Sequence, residues 1–97
     1  VAGGENFPAI FDALEASRDR LVPGLGMKAG LIRGEGRADH APFFEKGIPA
    51  VSLFSSGGKR GGYHTPEDTV YWITPKVMES AGRTVLGAAW SLANGRP

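Results

Sequence analysis

Gly47-Ile48-Pro49-Ala50-Val51-Ser52-Leu53-Phe54 is almost continuously apolar, with no strict alternation of polar and apolar positions. Alternation marks a strand with one wet face, so this run predicts a strand covered on both faces, as in a parallel α/β sheet. Just upstream, Asp39 can cap a short helix reaching Lys46, with Pro42 tolerated in its first turn and Gly47 placed to end it in a left-handed conformation. Just downstream, Ser55 to Gly62 reads as a Gly-rich loop, and loops leaving a buried strand are where sites are built.

Further out, Phe7, Ile10, Phe11, Leu14 and Leu21 recur at helical spacing, with Asn6 available as a cap, Pro8 in the first turn and Pro23-Gly24 as the stop. Met27 to Ile32 is short and largely apolar, and Arg33-Gly34-Glu35-Gly36 follows it, which predicts a strand ending in a turn. Thr74-Pro75 opens a last helix whose Met78, Ala81, Val85, Ala89 and Leu92 share one face, and Asn94-Gly95 closes it. The expected fold class is α/β, with three helices and two strands in a single segment spanning residues 1–97. Two strands do not make a doubly covered sheet, so the pattern implies further strands as partners.

The chain has 97 residues, 41% of them hydrophobic and 22% charged, as in ordinary globular proteins. At that length a domain buries only about 60–65% of its unfolded surface, which makes a thin core. A net charge of +1 and no basic run longer than Lys59-Arg60 argue against nucleic acid as a partner. Without Cys, any metal must be held by His and carboxylate. No apolar run approaches the roughly 20 residues of a membrane span.

Chemistry concentrates in Tyr63-His64-Thr65-Pro66-Glu67-Asp68-Thr69, where a His lies between a Tyr and a Pro-braced acidic turn. Neutral imidazole can hold a metal without adding negative charge. Asp68 can accept the other ring N–H of such a His and fix its tautomer, or it can cap the turn after Pro66; the residues leave both open. A small mononuclear site from His40, His64 and Asp39 or Asp68 is a further alternative. Ser55 and Ser56 lack a nucleophile elbow, and the Gly-rich loop lacks the Gly-Lys-Ser/Thr ending of a phosphate cradle.

Together with Ala38-Asp39-His40-Ala41-Pro42-Phe43-Phe44 and Gly47-Ile48-Pro49-Ala50-Val51, the Tyr-His-Thr stretch resembles the C-terminal part of zinc-dependent aminopeptidases of metallopeptidase family twenty-eight, from about Glu5 to Leu92. The resemblance implies the C-terminal portion of a three-layer α/β/α catalytic domain with two zinc ions. It implies His64 as the last zinc ligand and Tyr63 as a donor to the oxyanion formed when activated water attacks an N-terminal peptide bond. Asp39 and His40 would support that site or touch the peptide substrate; for Asp39 a plain helix cap and for His40 a packed side chain stand beside this reading. The family's ligands run His, Asp, Glu, Asp or Glu, His, with a further Glu as general base. Of these the chain matches the last alone, so the isolated segment is expected to be inert until the rest of the domain or another chain completes the site. A glutaminyl-cyclase-like zinc acyltransferase and a non-catalytic α/β interaction module are the competing functions. An extracytoplasmic location is implied by the resemblance only.

Overall fold

The computed structural model describes residues 1–32, 38–54 and 63–95. Among them are three α-helices, α1 (Pro8–Leu21), α2 (Ala41–Glu45) and α3 (Pro75–Ala93), and a 3₁₀ turn at Val70–Trp72. The expected turn at 33–36 and the Gly-rich loop at 55–62 lie outside the described residues.

Each α-helix begins with Pro in its first turn, where the missing N–H is no loss and the fixed φ suits the helix. No side chain caps any of the three N-termini. Phe7, not Asn6, precedes α1, because the Asn6 amide is used elsewhere. Its Nδ2 donates to the Ile32 carbonyl at 3.0 Å and its Oδ1 accepts from the Ile32 N–H at 2.8 Å, so one side chain satisfies both backbone groups of a residue 26 positions away. Beyond α1, Arg18 Nη1 donates to the Leu25 carbonyl at 2.7 Å and ties the Pro23-Gly24 turn to the helix.

α2 is shorter than the sequence predicts and starts after His40 rather than at Asp39. Its end is as expected: Gly47 has φ +76, its N–H donates to Phe44 O at 3.0 Å, and the Ile48 N–H donates to Phe43 O at 2.9 Å. That pair of bonds is a Schellman motif, which needs a residue free to adopt positive φ.

The core lies where α1 crosses α3. Ala13, Leu14 and Ala88 are its buried apolar centre, flanked by Val1, Ile10, Met27 and Val51. The buried positions of α3 are Thr84, Ala88 and Ser91, not the predicted Met78, Val85 and Leu92, which are exposed. Close approach is the reason. A Cβ added at Gly87 would overlap Ser17 Oγ and crowd Leu21, so the small residues on that face set how near the helices come. Ser17 Oγ donates to the Thr84 carbonyl at 2.8 Å in the middle of the contact.

The α/β expectation is overturned: the described residues contain no strand, and the parts predicted as two strands, Met27–Ile32 and Ile48–Phe54, hold isolated bridges. Ala2 sits between them, bridging Gly30 in parallel and Ser52 in antiparallel sense. Ala2 N–H donates to Ser52 O at 2.8 Å and Ser52 N–H returns to Ala2 O at 2.9 Å. Pairing stops there for physical reasons. Gly30 brings no side chain to a pleated face, and Pro49 has no N–H to donate. Leu31, Ile48, Leu53 and Phe54 are exposed, so no covering layer rewards extension of the ladder.

Candidate functional site

The stretch Tyr63–Ile73 is a turn followed by the 3₁₀ helix, and it leads through Thr74 into α3. Pro66 presets φ within the turn, and the Asp68 N–H closes it on Thr65 O at 3.0 Å. Trp72 N–H then donates to Thr69 O at 3.2 Å, and its indole Nε1 donates to Glu67 O at 3.0 Å. The Tyr71 ring meets the indole edge-on, centroids 5.0 Å apart and planes at 88°.

His64 has φ 59, the one non-glycine residue in the left-handed region among the described residues. His tolerates that region better than most side chains, yet it remains strained. The imidazole is exposed and stacks on the Tyr63 ring, centroids 3.9 Å apart and planes at 18°. Neither ring nitrogen hydrogen-bonds within the described residues, so both are open to a ligand. Tyr63 is 77% exposed, which leaves its phenol in solvent.

Asp68 occupies the same turn but contributes its backbone N–H there; its exposed carboxylate makes no bond to His64. Asp39 is exposed beside the start of α2. His40 is half-buried, and its Nδ1 is sealed from solvent without a hydrogen-bond partner among the described residues. Phe43 is exposed, whereas Phe44 is half-buried and meets Phe7 edge to face at 6.0 Å. The structure thus brings Tyr63, His64 and Asp68 onto one turn, and among the described residues no hydrogen bond or ring contact links Asp39 or His40 to it.

Among the described residues no group of three or more His or carboxylate side chains converges to hold a metal, and the mononuclear arrangement of His40, His64 and a carboxylate is not assembled. What the turn offers is one exposed imidazole. That donor fits a single position of a metal site whose other ligands come from elsewhere. Sequence reasoning passed over Trp72; its signal is an aromatic pair, Tyr71-Trp72, directly after the acidic turn, in a stretch otherwise exposed from Tyr63 to Ile73.

The chain belongs to peptidase family M28, whose family model matches residues 11–89. It is 32% identical over 103 aligned residues to leupeptin-inactivating enzyme 1 of Streptomyces exfoliatus, an alignment covering 87% of this chain and 24% of the relative. The chain therefore spans about a quarter of the length of that curated relative. No solved structure matches it. No helix among the described residues is long and apolar enough to cross a membrane.

Proposed function

We propose that this chain supplies the terminal metal-binding turn of a zinc-dependent exopeptidase of the aminopeptidase type. The observation that carries the reading is His64: an exposed imidazole, held in a strained backbone conformation, at the centre of a Tyr-His-Thr-Pro turn in an M28 chain. A left-handed non-glycine residue persists only where its surroundings over-determine it, and such residues cluster at functional sites.

In this reading His64 donates one ring nitrogen to a zinc ion, with the remaining ligands and the general base supplied by parts of the protein beyond this segment. When bound, zinc supplies Lewis acidity and lowers the pKa of water toward neutrality. Tyr63, next to the ligand and solvent-facing, donates its phenolic O–H to the oxygen that gains charge as the peptide carbonyl is attacked. Asp39 and His40 support the site or contact substrate from α2. Asp68 holds the turn through its backbone, and its carboxylate is free to orient His64 once metal is bound. The name of the Streptomyces exfoliatus relative refers to inactivation of leupeptin. A short peptide is accordingly the substrate class we assign, and an extracytoplasmic site of action belongs to the same reading.

The test is metal content and turnover of a leucine p-nitroanilide substrate in the protein at its natural length, wild type beside His64→Ala. Loss of about one zinc per chain together with most activity is expected. Unchanged metal content removes His64 from the site.

A further inference from the structure

We propose that Trp72 is a positioning residue for His64, acting through the carbonyl of Glu67. The inference rests on the reading of His64 as a metal ligand, and it concerns what keeps that ligand in place. A left-handed His on an exposed turn relaxes to ordinary backbone angles unless something restrains the turn. Restraints inside the turn include Pro66, the stacking of Tyr63 on the imidazole and the Asp68 N–H to Thr65 O bond at 3.0 Å. From Tyr63 to Ile73, every residue but one is exposed; the exception is Trp72, which is half-buried.

The 3₁₀ helix explains how Trp72 reaches back. Its N–H bonds to Thr69 O at 3.2 Å and the Ile73 N–H bonds to Val70 O at 3.1 Å, which turns the chain sharply enough for the indole to reach Glu67 O at 3.0 Å. Tyr71 packs edge-on against the same indole and limits its rotation. Indole N–H is a donor only, so the bond has a fixed sense and cannot be replaced by rotation of the same group. The short segment from Trp72 through Thr74 to Pro75 then joins this clasp to α3, the longest helix among the described residues. The imidazole is tied in this way to a rigid element, although it sits on an exposed loop.

The test uses the protein at its natural length with benzothienylalanine at position 72, which keeps the ring shape and replaces the N–H with sulfur, beside Trp72→Phe and His64→Ala. Zinc affinity is read by chelator competition, ligand geometry by the d–d spectrum of the cobalt-substituted protein, and catalysis by separate kcat and KM. A group that hydrogen-bonds a ligand His directly is worth about 10–100-fold in metal affinity or activity, and Trp72, acting through the backbone, belongs at the lower end of that range. We expect a loss at that end of the range for the benzothienyl variant, a shifted cobalt spectrum, and a lowered kcat with KM unchanged. A benzothienyl variant with wild-type affinity and spectrum overturns the role of Trp72 even if Trp72→Phe unfolds. If His64→Ala keeps its full metal complement, the metal reading fails and the Trp72 inference falls with it. If His64→Ala loses a metal while the benzothienyl variant matches wild type, the Trp72 inference alone is wrong.

Discussion

At the residue scale, His64 separates ligand chemistry from folding. Its positive φ costs on the order of 1 kcal/mol, and glycine would remove that strain while adding a comparable entropic cost. His64→Gly should therefore leave stability within about 1 kcal/mol of wild type in a urea melt, while zinc affinity collapses. His64→Val, β-branched and ill suited to positive φ, should cost about 1–3 kcal/mol in the same melt. A glycine variant destabilised as much as the valine variant would mean that the imidazole is structural. The Tyr-His-Thr-Pro order of this turn was legible in the sequence because the residue types that bind metal and bend the chain are themselves the signal. The strain at His64 and the reach of Trp72 were not, since the first is a single backbone angle and the second depends on a 3₁₀ turn, and no periodicity announces either.

At the scale of elements, the α1–α3 crossing is set by small and hydroxyl side chains. Gly87→Ala gains helix propensity of about 1 kcal/mol, but the new methyl meets Ser17 Oγ and Leu21, and overpacking of this kind typically costs about 1–3 kcal/mol. The net effect should be a loss of stability by chemical denaturation. Ser17→Ala removes the bond to the Thr84 carbonyl and also clears space, so the double variant should be more stable than the sum of the two losses predicts, and strict additivity would refute the steric account. Gly47→Ala should cost about 1 kcal/mol by straining the end of α2, measurable in the same melts. The helices were readable from apolar spacing, first-turn prolines and terminal glycines. The buried face of α3 was not, because hydrophobicity points to Met78, Val85 and Leu92 whereas helix proximity selects Thr84, Ala88 and Ser91. The strands failed for a related reason: an apolar run states what a segment prefers to bury and leaves open whether anything covers it.

At the scale of the whole molecule, the described surface is rich in apolar side chains: Leu86 and Trp90 on α3 are each 70% exposed, and Val70 is 81% exposed. Leu86 and Trp90 lie four residues apart on one face of α3, and monomers rarely leave a large apolar patch without a use for it. The isolated 97-residue chain should enhance the fluorescence of an apolar dye and sediment as concentration-dependent oligomers, and Leu86→Lys with Trp90→Lys should reduce both. A non-binding monomer across the concentration range would show that this surface is satisfied as it stands. The clasp at Ala2 sets a different property of the molecule. Because Ala2 exchanges hydrogen bonds with Ser52 while its neighbours Val1 and Gly3 bond the backbone of Gly30, three distant stretches of chain are joined at one point. Amide exchange at Ala2, Gly3, Gly30 and Ser52 should therefore proceed at one shared rate, a single cooperative unit rather than three fraying ends.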